Sequence, residues 1–214
     1  MGTVLGRIGV ETPKYEVVSK APDYEIREYQ PSVATEVTYD PSEMKRGRDG
    51  GFMILASYIG AVGKPCNIKP EIQTEGEKIA MTTPDITHES SPQSQPIAMT
   101  APVITAEQST DDESGLARKL VTMQFVLPSD YTMENVRRPT DPRVSVKEAL
   151  VRKYGVVTFS GVADDTIVQT MVQKLRKSLE DGGYQVTGDY VLGRYNPFWT
   201  LPLLRTNEVV LPVA

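Results

Sequence analysis

One cysteine, one histidine and one tryptophan occur in 214 residues, and each scarcity removes a class of chemistry. Cys66 alone cannot form an internal disulfide, which fits a reducing compartment. A zinc site of the usual kind needs several Cys or His ligands, and Cys66 with His88 cannot supply them, so no metal site is expected. The lone histidine also removes most Ser–His and Cys–His pairs, which argues against an enzyme. Paired carboxylates such as Glu75 and Glu77 lie in a polar, turn-like stretch where solvation is the default. Positive charge is short as well. With 23 Lys and Arg against 28 Asp and Glu, the net charge is −5, and no basic field exists to displace counterions from nucleic acid. Lys45-Arg46-Gly47-Arg48 is the only basic cluster, diluted by Glu43 and Asp49; it reads as a solvated helix entrance or as an anion hook. No stretch approaches the roughly 18 apolar residues of a membrane span. The N-terminus lacks a basic n-region and an apolar h-region, and Gly6 stands where myristoylation requires Ser or Thr, so an untargeted, cytoplasmic protein is expected.

What is present suits a globular domain: 39% hydrophobic and 24% charged residues allow an ordinary core. Alternating apolar and branched residues predict strands at 15–18, 24–29 and 33–39. A short helix follows at about Gly51 to Gly60, with Phe52, Leu55, Ala56 and Ile59 at helical spacing. Val151-Arg152-Lys153-Tyr154 echoes Ile26-Arg27-Glu28-Tyr29, and each leads through a β-rich run and an acidic turn into a helix. In the second copy, Asp164 or Asp165 caps the helix, Ile167, Met171, Leu175 and Leu179 form its stripe, and Gly182-Gly183 ends it. Further strands are expected at 119–127, 184–186, 189–194 and 207–211. Each helix must bury its stripe on a sheet, so the chain reads as one domain, 1–214, whose halves span about 10–105 and 118–214.

Two local features stand out. Ile79-Ala80-Met81-Thr82-Thr83-Pro84 returns 18 residues later as Ile97-Ala98-Met99-Thr100-Ala101-Pro102, across a polar spacer containing His88. Strand alternation would set Ile97 and Met99 on one face, as it would Ile79 and Met81; methionine there suits core packing or the wall of a site for a large flat ligand. The second feature is Tyr195-Asn196-Pro197-Phe198-Trp199-Thr200-Leu201-Pro202-Leu203-Leu204-Arg205. Its prolines forbid an interior strand or helix, yet it carries the single tryptophan. It must pack beneath something, form a ligand wall, or dock a protein.

These residues carry a family resemblance. Lys78 to Thr82 with its twin ending Pro102-Val103, Gly193 to Pro197 with Arg205 to Val209, Glu11 to Tyr15, Tyr24 to Tyr29, and Leu120 to Phe125 resemble, in order, the motifs of the SOUL haem-binding family. The tandem phrase is similar to the plant cytosolic branch. The resemblance implies an α+β fold, a distorted β-barrel of two antiparallel sheets flanked by two helices with an internal pseudo-twofold. It also implies haem or another porphyrin as bound ligand in an apolar cleft between the first helix and the C-terminal loop. The protein would act as a monomeric carrier or buffer of tetrapyrroles, with a haem-accepting protein as a further partner.

Carried onto this chain, the helix side of the cleft is Phe52, Leu55, Ala56 and Ile59, and the loop side is Tyr195, Pro197, Phe198, Trp199 and Leu203. Aromatic faces stack on a porphyrin plate and apolar burial supplies affinity. Animal members resemble one another in basic residues on the first helix for the propionates; Asp49 and Ser57 stand at those positions here, so Arg48, Lys64 and Arg205 are the substitutes. Haem iron takes His, Cys, Met or Tyr, which leaves His88, Cys66, Met81, Met99, Tyr58 and Tyr195 to consider. Binding is expected to rest on apolar contact, with a weak or absent axial bond. The rival readings are a protein-interaction adaptor using the Trp199 loop and a tetrapyrrole-modifying enzyme.

Overall fold

The computed structural model describes residues 6, 8–45, 47–69, 96–111, 117–197 and 199–214, with the backbone alone at 48, 108–111 and 117–119. In chain order the strands and helices are β1 (Tyr15–Lys20), β2 (Glu25–Tyr29), β3 (Ser32–Tyr39), α1 (Gly50–Ile59), β4 (Asn67–Ile68) and β5 (Val103–Asp111). They continue with β6 (Ala117–Val126), β7 (Arg138–Pro139), β8 (Ser145–Ala149), β9 (Arg152–Ser160), α2 (Asp165–Asp181), β10 (Val191–Arg194) and β11 (Thr206–Pro212).

Nine strands join in one antiparallel sheet, ordered β1-β2-β9-β11-β10-β5-β6-β3-β8, while β4 and β7 pair separately. The sheet curls into a half-barrel and two helices complete an α+β fold. The resemblance implied two large sheets. The observed sheet is continuous because β10 pairs with β5 over four residues, Val191–Arg194 against Ala106–Val103, and so zips two strand groups together.

Period-two alternation divides each strand between two faces. Val33, Val37 and Tyr39 of β3 and Val121, Met123 and Phe125 of β6 pack with Leu55, Tyr58 and Ile59 of α1 in one core cluster. A second cluster sets Val168, Val172, Leu175 and Leu179 of α2 against Val157, Leu192, Val209 and Leu211. The helix-free face carries the intervening residues, among them Glu36 and Glu208.

Asp164 caps α2, its Oδ1 accepting the Ile167 amide at 2.9 Å. The buried stripe is Val168, Val172, Leu175 and Leu179, whereas Ile167 is exposed. The predicted stripe therefore runs one residue early in its first half, because both neighbouring positions are apolar and the sheet selects between them. The segment 184–186 contributes one bridge, Val186 to Val213, in place of a strand. Residues 96–99 form no strand either. Ile97 is buried and Met99 is exposed, so the expected shared face does not form. The first copy of the repeat, with Met81, and His88 lie outside the described residues.

Candidate ligand-binding site

Helix α1 begins with two glycines in crowded places: a Cβ on Gly51 would lie 2.4 Å from the Tyr39 ring of the sheet, and one on Gly50 would lie 2.7 Å from the Met44 side chain. It ends at Gly60, whose φ of 79° is left-handed and natural to glycine. Between them, Leu55, Ala56 and Tyr58 are 0% exposed and Ile59 2%. The Phe52 ring meets that of Phe125 edge-on, centroids 5.4 Å apart. The far side of the helix is covered too. Tyr58 donates its hydroxyl to the Arg137 carbonyl at 2.7 Å, Asn67 Nδ2 donates to the Tyr58 carbonyl at 2.7 Å, and the Ile97 amide donates to the Ile59 carbonyl at 2.8 Å. The helix side of the expected cleft is therefore packed into the core.

The C-terminal loop behaves oppositely. From Tyr195 to Leu204 it contains no Asp, Glu, Lys, Arg or His, and its apolar side chains face solvent: Trp199 is 57% exposed, Leu201 51%, Leu203 83% and Leu204 42%. Its polar groups hold it down. Asn196 Oδ1 accepts the Thr206 amide at 2.7 Å and its Nδ2 donates to the Gly6 carbonyl at 3.2 Å. Thr200 is buried, its carbonyl accepting from Arg205 Nε at 2.9 Å. Pro202–Leu204 form a single 3-10 turn, with the Arg205 amide bonded to the Pro202 carbonyl. The result is a ledge, moored beneath and greasy above.

The mooring reaches the sheet's helix-free face through Tyr195, whose hydroxyl donates to Glu208 Oε2 at 2.6 Å. Glu208 Oε1 accepts from Arg27 Nη1 at 2.8 Å and from Thr158 Oγ1 at 3.1 Å. The Arg27 guanidinium also bonds Glu25 and lies 4.3 Å from the Tyr15 ring centroid. Burial opposes the Arg27 charge, but Glu208 and the hydroxyl of Tyr29 outweigh it and leave the guanidinium more firmly protonated than usual. Burial, the Glu208 charge and the bond donated to it raise the Tyr195 hydroxyl far above its ordinary range. Burial first, then Glu208, pushes Tyr29 up to about 12.

The predicted residues thus separate. Tyr195, Pro197, Trp199, Leu203 and Arg205 share the ledge, while Phe52, Leu55, Ala56 and Ile59 share the α1 core. Lys64 is exposed in the bend after α1; the Arg48 side chain and Phe198 lie outside the described residues. Two shallow depressions lie among the described residues. One lies between Thr105, Glu107 and Arg194 of the sheet and Asp165, Val168 and Tyr190. The other lies beside the segment Glu11–Lys14, Pro31 and Val126. Neither is lined by the predicted residues. Sequence reasoning missed Leu201, Leu204 and Arg27; the first two were legible as apolar loop residues, the third was hidden inside an ordinary strand pattern.

The tyrosines among the candidate axial ligands are poorly set for iron. Tyrosine ligates iron as phenolate, and burial raises the Tyr58 and Tyr195 hydroxyls away from that state. Both hydroxyls also already donate hydrogen bonds. Among the described residues no group of three or more His, Cys, Asp or Glu could hold a metal ion, and no helix is long and apolar enough to cross a membrane.

A family model described as SOUL heme-binding protein matches residues 10–95 and 86–212. No curated protein matches the chain. Among solved structures, an uncharacterized conserved protein from Listeria innocua is similar at 14% identity and a TM-score of 0.53, covering 92% of this chain and 94% of that one. A structure described as a hydrolase from Listeria innocua is similar at 14% identity and a TM-score of 0.51, with the same coverage. EcmrR in its DNA complex is similar at 12% identity and a TM-score of 0.51, covering 89% of this chain and 56% of that chain. At such identities the likeness is one of fold.

Proposed function

The chain belongs to the SOUL haem-binding family, and from that premise we propose that it binds haem and other tetrapyrroles as a monomeric cytoplasmic carrier or buffer. The observation that carries the reading is the ledge: four large apolar side chains held out in solvent on a loop fastened by partly buried hydrogen bonds. A pre-organised apolar surface binds a flat ligand without first losing loop entropy. Trp199, Leu201, Leu203 and Leu204 form the proposed seat, rooted at Tyr195 and Pro197; Phe198 is proposed from its place in the sequence to join it, and Arg48, Lys64 and Arg205 are the cations proposed for the propionates. Phe52, Leu55, Ala56 and Ile59 would join it only if α1 lifted from the sheet, which exposes a core cluster; the site we favour is one-sided. Bound haem would supply an iron centre, and this chain supplies apolar contact in place of a strong axial bond.

Trp199 is the sole tryptophan, so its fluorescence reports the site directly. Titration with protoporphyrin IX should quench it stoichiometrically, and haemin should bind within about tenfold of the metal-free ring, about 1.4 kcal/mol. Absence of quenching at saturating porphyrin would sink the reading. The adaptor alternative uses the same exposed loop and is favoured if a protein partner, and no porphyrin, quenches Trp199.

We also infer a single domain of two related halves, about 10–105 and 118–214. The sheet order supports two halves but moves their boundary: exchanging β2 with β8, β3 with β9, β5 with β10 and β6 with β11 reads the eight strands other than β1 backwards onto themselves, which puts β6 (Ala117–Val126) in the first half. In that correspondence the echoing phrases at 26–29 and 151–154 are neighbours and not equivalents, since Tyr29 lies opposite Arg152 and Arg27 opposite Tyr154.

A further inference from the structure

Glu208 lies two residues beyond the start of β11, on the helix-free face, 5% exposed. A buried carboxylate is a costly way to hold strands together, since apolar residues of similar volume do so as well or better. Its three donors show what it fastens. Arg27 comes from β2, Thr158 from β9, and Tyr195 from the loop itself. The first two bonds lie within the sheet, where Arg27 and Thr158 sit on strands already paired through β9. The Tyr195 bond is different in kind, because it is the contact from this carboxylate to the segment bearing Trp199.

We propose that Glu208 is the positioning residue of the ledge, holding the apolar seat in its binding geometry through the Tyr195 hydroxyl. This deepens the tetrapyrrole reading and rests on it for the ligand. The geometry is that of a charge-assisted bond at 2.6 Å between a half-buried phenol and a buried carboxylate whose other oxygen is fixed by arginine. Such a carboxylate cannot rotate to follow the loop, so the loop is set by the sheet. Tyr195 marks the root of the ledge. Asn196 marks the next residue, bonded to Thr206 and Gly6, and Trp199 begins the exposed part.

The test compares two full-length variants that each remove one donor from Glu208. Tyr195→Phe keeps the ring and deletes the bond to the loop, whereas Thr158→Val deletes a bond inside the sheet. Trp199 fluorescence anisotropy and protoporphyrin IX affinity are read for both, alongside the thermal midpoint. Tyr195→Phe should lower the anisotropy and weaken protoporphyrin about fivefold, the fold-change of one ordinary hydrogen bond. Thr158→Val should leave both readouts at wild-type values while still lowering the midpoint. Equal effects of the two variants on Trp199, or none from Tyr195→Phe, would overturn the proposal, as would loss of the fold in Tyr195→Phe. If the wild-type protein fails to bind protoporphyrin, the tetrapyrrole reading falls, and the anisotropy of the two variants still decides the role of Glu208.

Discussion

The face of α1 and the loop 195–205 are both apolar in sequence, and the fold treats them in opposite ways. Leu55, Ala56 and Ile59 vanish beneath the sheet, while Trp199, Leu201 and Leu203 stay in water. The difference lies in backbone hydrogen bonding. A helix satisfies its own backbone groups and can be laid whole onto a sheet. A segment broken by Pro197 and Pro202 cannot pair as a strand, so its backbone must keep water or side-chain partners nearby. It finds them in Asn196, Arg205 and the single 3-10 turn. Burying the polar groups beneath leaves the apolar ones above. Apolar composition alone therefore does not distinguish core from candidate binding surface; the capacity of the backbone to satisfy its own hydrogen bonds does.

The largest test of this contrast is Leu55→Ala. It empties a site that is 0% exposed inside the α1 cluster, and should cost about 2–5 kcal/mol of stability. Urea unfolding followed by far-UV circular dichroism measures it; a cost below about 1 kcal/mol would mean that α1 is not packed as described.

A smaller effect sharpens the loop side, whose mooring contains titratable groups. Tyr29 is raised to about 12 by burial and by Glu208, above the ordinary tyrosine value of about 10. The folded state holds this proton more tightly than the unfolded chain does. Its contribution to stability is thus fully present below about pH 10 and is lost as pH rises toward 12. Difference absorbance at 295 nm between wild type and Tyr29→Phe should show this phenol ionising near pH 12; ionisation near pH 10 would contradict the buried network.

Much of the architecture was legible because its signals are local. Alternation at 33–39 and helical spacing at 52–59 gave β3 and α1 within a residue or two of their observed bounds, and the pair Asp164-Asp165 announced the start of α2, with Asp164 the cap. The errors came where a tertiary partner chooses between equivalent local options. Ile167 and Val168 are equally apolar, and only the sheet beneath α2 selects Val168. Ser145–Ala149 lacks an apolar face because it is an edge strand with four of its five residues exposed, so no period identified it. Of the candidate site, the loop announced itself by composition. Arg27, which anchors the network beneath that loop, is brought to Glu208 by strand pairing across 181 residues of sequence.

Leu203→Ala isolates the loop's side of the contrast with the smallest expected effect on stability. At 83% exposure the side chain gives up little on truncation, no cavity forms, and the change should stay within about 0.5 kcal/mol. It does remove apolar surface from the proposed seat, where burial is worth about 25 cal/mol per Å² of area covered. Protoporphyrin affinity should therefore fall while the thermal midpoint stays put. The pairing of results carries the meaning: Leu55→Ala is expected to move stability because its contacts are internal, and Leu203→Ala to move binding because the proposed ligand would rest on it. A Leu203→Ala protein that loses stability by more than about 1 kcal/mol would show this residue packed against the protein, and the loop would then be core of the same kind as α1.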